Sequence, residues 1–161
     1  MSAQASVVID ALRTRGWTLG VAESLTGGAL SAELVSVPGA SAVLRGGVVA
    51  YATDIKHTLL DVDAALLARH GAVHPEVACQ MAAGVRRALR LDGADASVGV
   101  STTGIAGPDS ADGQPVGTVH VGVSTEMRTV SRAFLFSGDR SAVRAKAVES
   151  ALSLLREILG E

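Results

Sequence analysis

The run G-G-V-V-A-Y-A at 46–52 is almost continuously apolar and only strand-length. A strand without polar alternation is buried on both faces, so it belongs inside a sheet covered by helices on each side. W-T-L-G-V-A at 17–22 and D-A-S-V-G-V-S-T at 95–102 read as companion strands. Helical patterns separate them. Val7, Val8, Ala11 and Leu12 give helical spacing within 3–15, and a helix over 27–36 ends at Pro38-Gly39. Asp63 caps a short helix through Arg69, closed by Gly71, and Pro75 opens a long helix to about Leu91. Late in the chain, T-V-H-V-G-V-S at 118–124 alternates strictly and T-V-S-R-A-F-L-F follows at 129–136. The short T-E-M-R between them predicts an antiparallel hairpin. Gly138 and Asp139 lead into a last helix to about Leu159. The pattern predicts an α/β sandwich with a mixed sheet and helices on both faces.

The chain has 161 residues and shows no linker or repeat, which suits one domain over 1–161. Hydrophobic residues make up 48% and charged residues 19%, a globular balance. No apolar run is long enough to span a bilayer, and M-S-A-Q-A-S-V-V-I-D lacks the basic start of a secretory signal. Cys79 is the single cysteine, so no internal disulfide or cysteine metal pair forms; its helical spacing with Ala82 and Ala83 predicts a small core residue. The expected location is the cytoplasm. The net charge is −2, without a basic block, and the aromatics are Trp17, Tyr51, Phe134 and Phe136. A nucleic-acid binder is therefore not expected.

Three junctions carry candidate chemistry. A-E-S-L-T-G-G at 22–28 follows a strand and opens a helix, the edge at which open α/β sheets bind ligands. Ser24 there is either a helix cap or a nucleophile, and the free N–H groups of the helix start favour an anion. T-T-G-I-A-G-P-D at 102–109 is either a glycine-rich turn or a nest of N–H donors. Y-A-T-D-I-K at 51–56 places Tyr51 and Lys56 at a strand end, His57 following in a loop. A lysine can activate a serine hydroxyl if its pKa falls from roughly 10.4 towards 7–8, about 4 kcal/mol of differential stabilisation. The tyrosine hydroxyl would relay the proton or hold the lysine. The bland alternative is a solvated lysine beside a strand-end tyrosine. None of His57, His70, His74 and His120 falls in a metal-ligand spacing. Arg140, in S-G-D-R, is an anion clamp or a solvated charge.

Taken in order, A-E-S-L-T-G-G, G-G-V-V-A-Y-A-T-D-I-K, G-A-V-H-P-E-V-A, T-G-I-A-G-P-D and P-V-G-T-V resemble the CinA C-terminal domain family, the nicotinamide-nucleotide amidohydrolases, from about residue 5 to 158. The resemblance implies a three-layer α/β/α sandwich with a mixed, mostly parallel sheet. It implies hydrolysis of the carboxamide of nicotinamide mononucleotide to nicotinate mononucleotide and ammonia. Its proposed catalytic set falls on Ser24, Tyr51 and Lys56. Substrate contacts are expected from Glu23, Thr26, Gly27, Gly28, Thr103, Gly104, Gly107 and Arg140. In that scheme Ser24 attacks, and Lys56, oriented through Tyr51, takes its proton. N–H groups near Thr26–Gly28 or Gly104–Gly107 stabilise the oxyanion, and the other loop, with Arg140, holds the 5′-phosphate. No metal or cofactor is implied. The expected partner is a pyridine mononucleotide, with neither nucleic acid nor membrane, and a homodimer is expected. Longer members carry a further N-terminal domain whose activities do not transfer. The chain departs from the pattern with Leu25 in place of cysteine, His74 in place of serine, and an altered loop at 108–113. The rival readings are a nucleotide-binding or protein-interaction module linked to competence, and an amidase for another small amide.

Overall fold

The computed structural model of the chain describes residues 2–110 and 113–161, and its sheet is mixed, in the order β2-β1-β3-β4-β5. The strands are β1 (Leu19–Glu23), β2 (Leu44–Val49), β3 (Val98–Gly104), β4 (Thr118–Thr125) and β5 (Thr129–Leu135). β1 pairs in parallel with both β2 and β3; β4 is antiparallel to β3 and to β5. Four strands thus run one way and β4 alone opposes them. The helices are α1 (Ala3–Arg15), α2 (Ala29–Val35), α3 (Thr53–Leu60), α4 (Ala64–His70), α5 (Pro75–Ala88) and α6 (Arg140–Leu159). No helix among the described residues is long and apolar enough to cross a membrane.

Two cores make the three layers. Val21, Val98, Val100, Val119, Val121 and Val123 face α1, α2 and α6, where Leu12, Leu30, Leu152 and Leu155 are buried. On the other face Ala22 packs with Leu60, Val77, Met81 and Val85 from α3 and α5. With few aromatics, close packing comes from small residues. A Cβ at Gly99 would stand 1.9 Å from the Ala82 carbonyl oxygen, and one at Gly122 2.3 Å from that of Ala78. Glycine at both places lets the α5 backbone lie directly on β3 and β4, and the Ser101 hydroxyl donates to the same Ala78 carbonyl at 2.6 Å.

The expected elements form, with corrections. The run at 46–52 is not a strand buried on both faces: β2 is an edge strand paired with β1, its residues half-buried or exposed, Val49 at 49%. β1 starts at Leu19, not Trp17, because Gly16 ends α1 in the left-handed region and the Trp17 N–H returns to the Leu12 carbonyl. β2 ends at Val49, and 53–60 is helix α3, not strand end and loop. It was missed because Ala52 at its N-terminus offers no side-chain cap and Asp61, not glycine, takes the left-handed position at its end. α5 stops at Ala88 rather than near Leu91, since Asp92 and Gly93, both at positive φ, turn the chain so that Leu91 pairs with Ala94. Cys79 is only half-buried. Burial pushes its thiol up, and Ser131 on β5 is its hydrogen-bond partner.

Because β1, β2, β3 and β5 run the same way, their C-terminal ends meet at one edge. The turns after them bring together 24–28, 50–52, 105–110 and the 136–139 entry to α6.

Candidate active site

Glu23 closes β1 fully buried, and its carboxylate is committed to α2. Oε2 accepts from Gly28 N and Leu30 N, both at 3.0 Å; Oε1 accepts from Ser31 N at 2.8 Å and Ser31 Oγ at 2.7 Å. A carboxylate at a helix N-terminus satisfies donors that the helix itself leaves open. Glu23 is therefore a capping residue and not the substrate contact expected of it. The Thr26 side chain is likewise corrected: its hydroxyl is buried, 2.8 Å from that of Thr102. Gly27 and Gly28 have φ of 59° and 99°, which glycine adopts without strain, but their N–H groups are used inside the turn, by the Ser24 carbonyl and Glu23.

This turn presents Ser24. Its N–H donates to the Thr102 carbonyl at 3.0 Å, joining the turn to β3. Ser24 Oγ lies 3.0 Å from Lys56 Nζ, which reaches in from α3. Lys56 is fully buried, and Nζ donates to the carbonyls of Ala50 at 2.7 Å and Tyr51 at 3.2 Å. No carboxylate among the described residues pairs with it. Burial without a counter-charge pushes its pKa from the ordinary 10.5 down to about 8.

The stereochemistry of this amine is restrictive. A neutral amine has two N–H bonds and one lone pair, and carbonyl oxygens only accept. Both N–H bonds are directed to Ala50 and Tyr51, leaving the lone pair for the Ser24 hydroxyl. Once protonated, the three N–H donors meet three acceptors. The proton can therefore pass from Ser24 to Lys56 and back without leaving a donor orphaned.

Tyr51 holds Lys56 through its main-chain carbonyl, correcting the expected role of its hydroxyl. The phenol, largely exposed, accepts from Arg140 Nη2 at 3.1 Å, while Arg140 Nη1 donates to the Gly107 carbonyl at 2.9 Å. Arg140 opens α6 behind its cap Asp139 and bridges two walls of a cleft of about 270 Å³. Ser24, Tyr51, Lys56, Thr103, Gly104 and Arg140 line that cleft. Among the described residues no acidic side chain lines it, and Arg140 gives it positive charge. The Thr103 hydroxyl is engaged by the Ala72 carbonyl at 2.7 Å.

His57, His70 and His74 serve structure. His57 lies on α3, its Nδ1 2.7 Å from the Val62 carbonyl. His74 stacks on His70 and caps α5, its Nδ1 accepting from Glu76 N at 3.2 Å. A serine hydroxyl would do the same job, so the departure at this position keeps the cap. Leu25, the other single-residue departure, buries its side chain in the α6-side core. The altered loop at 108–113 includes Ala111 and Asp112, which lie outside the described residues. No group of three or more His, Cys, Asp or Glu among the described residues is arranged to hold a metal ion.

Sequence reasoning missed Arg144. Its Nε donates to the Leu25 carbonyl at 2.9 Å and its Nη2 to the Thr26 carbonyl at 3.0 Å. The signal available was spacing: Arg144 follows Arg140 by four residues on α6, on the same face.

Comparison with known proteins bears on the family and the fold. The CinA C-terminal domain family matches residues 1–159. A CinA-like protein of Frankia casuarinae is 49% identical over 95% of this chain, which spans 34% of that protein's length. Among solved structures, the competence damage-inducible protein A of Klebsiella pneumoniae superposes with a TM-score of 0.90 at 36% identity, covering 98% of this chain and 96% of that one. A CinA-superfamily protein of Enterobacter cloacae gives a TM-score of 0.91 at 32% identity, with 97% and 90% covered. The chain belongs to the CinA C-terminal domain family.

Proposed function

We propose that this chain hydrolyses a small carboxamide through a Ser24 nucleophile and a Lys56 base, and that the substrate is nicotinamide mononucleotide. The observation that carries the proposal is Lys56: buried, paired with no carboxylate among the described residues, its Nζ 3.0 Å from Ser24 Oγ and held by two carbonyls, so that in the neutral amine the lone pair is left for Ser24. Ser24 Oγ bonds the carboxamide carbon as its proton passes to Lys56, and the carbonyl π electrons move to oxygen. When the oxyanion collapses, the C–N bond breaks and Lys56 returns the proton to nitrogen, so ammonia leaves. Water then attacks the acyl-enzyme, again giving a proton to Lys56. The ester C–O bond breaks, the proton returns to Ser24, and a carboxylic acid is released. Arg140 and the positive cleft favour an anionic substrate, which suits the 5′-phosphate. The identity of the amide rests on the family resemblance.

The deciding experiment measures ammonia release from nicotinamide mononucleotide by wild type and Ser24→Ala, with chelator present. Release by wild type that falls at least about 10³-fold in the variant is expected. Equal release by both would sink the serine mechanism. Folded wild type that releases none would sink the substrate.

Tyr51→Phe separates the two atoms Tyr51 contributes. The carbonyl on Lys56 survives the substitution and only the bond to Arg140 is lost. KM is expected to rise severalfold, with kcat within about threefold of wild type, since a neutral hydrogen bond contributes about 0.5–1.5 kcal/mol. A kcat loss of a hundredfold would mean that the phenol takes part in the chemistry.

A further inference from the structure

Arg144 contributes no lining to the cleft, pairs with no carboxylate among the described residues, and spends its guanidinium on two consecutive carbonyls behind Ser24. In a trans peptide the carbonyl and the following N–H point opposite ways. Drawing the Leu25 and Thr26 carbonyls towards α6 turns the Thr26 and Gly27 N–H groups away from α6. The Gly27 N–H is used by the Ser24 carbonyl. The N–H groups of Leu25 and Thr26 donate to no atom among the described residues, although both residues are buried. A buried N–H without an acceptor is costly, and two successive ones beside a nucleophile have the form of an oxyanion site awaiting its oxygen.

We infer that Arg144 is the positioning residue of this oxyanion site, fixing the 25–27 peptides and setting a permanent positive charge behind them. The inference rests on the reading of Ser24 as an activated nucleophile. The charge acts along the peptide dipoles, which makes the opposite N–H ends better donors to a developing negative oxygen. A lysine would supply the charge as a point; the guanidinium fork reaches both carbonyls at once.

The test is labelling of Ser24 by a fluorophosphonate, which needs the nucleophile, the base and the oxyanion site but no particular amide. Ser24 Oγ bonds phosphorus, fluoride leaves with the P–F electron pair, and the hydroxyl proton passes to Lys56. Arg144→Ala is expected to label about 10²-fold more slowly, the usual effect of losing or misplacing an oxyanion donor. The pH midpoint of labelling, set by Lys56, should stay that of wild type. Added guanidinium ion should restore much of the rate, and methylammonium should not. Labelling of Arg144→Ala at the wild-type rate would overturn the inference alone. So would slow labelling with a displaced pH midpoint and no rescue, the mark of a collapsed site. Wild type that resists labelling would overturn the nucleophile reading itself, and this inference with it. Should Arg144→Ala not fold, Arg144→Gln, which keeps a stem and one donor without the charge, decides by the same rate: a wild-type value overturns the proposal.

Discussion

Replacing Lys56 with methionine is expected to lower kcat/KM for amide hydrolysis by about 10²–10⁴-fold and to remove its pH dependence around neutrality. Wild-type kcat/KM should rise with pH and level off above about 8, because only neutral Lys56 has a lone pair for Ser24. Lys56→Arg should be as inactive as Lys56→Met, since arginine keeps the charge yet never gives up its proton near neutral pH. An arginine variant with a tenth of wild-type activity would assign Lys56 to charge-holding instead.

The same lysine leaves a mark on stability. Its pKa is about 8 when folded and near 10.5 when unfolded, so between those values the unfolded chain binds more protons. Stability from this group therefore rises with pH through that window. Below about 8 the fold carries a buried charge, at a cost of about 3 kcal/mol. Measured by urea denaturation at pH 7 and pH 10, wild type should gain about 2–3 kcal/mol relative to Lys56→Met. Parallel pH profiles for the two proteins would show that Lys56 is charged when folded and would remove the base.

The second large effect is expected at Glu23. Glu23→Ala leaves four donors of α2 without an acceptor at a fully buried position. Each buried donor left unsatisfied costs about 1–3 kcal/mol, and partial relaxation brings the expected total to about 3–5 kcal/mol. Glu23→Gln, nearly the same shape, presents its NH₂ to N–H groups on one side and should cost about 2–3 kcal/mol. Activity should fall in both, because the carboxylate fixes the helix start beside Ser24. Urea denaturation with amide exchange across Ala29–Val35 reads the outcome. A loss below about 1 kcal/mol, with α2 protection intact, would show that the cap contributes little.

The two effects differ in how visible they were beforehand. Lys56 could be suspected from its company, because a rare lysine stands five residues after the single tyrosine near a strand end. That it stands on a helix could not, since Ala52 and Asp61 are not residues that announce helix ends. Glu23 was expected to touch substrate because it stands in the A-E-S-L-T-G-G motif that carries the family resemblance. Whether a carboxylate faces a cleft or the first turn of the next helix depends on the path of the chain after it. Tyr51 was expected to act through its hydroxyl: sequence names side chains, whereas the contact that holds Lys56 is to a carbonyl every residue has. Arg144 lies 120 residues from Ser24, and only packing of α6 on the sheet brings them together.

Short-range physics therefore settled what was read well. Apolar runs of strand length demanded a covered sheet, the Asp63, Pro75 and Asp139 signals placed helix starts, and the T-E-M-R turn closed the hairpin between β4 and β5. These depend on residues within a turn or two of each other, where burial and capping leave few alternatives. The tertiary structure alone decided which polar groups satisfy one another at the edge where the parallel strands end. A hydrogen bond requires two atoms within about 3 Å and aligned, a precision that no spacing along the chain encodes. It was that alignment which buried Lys56 against two carbonyls and set its Nζ 3.0 Å from Ser24 Oγ.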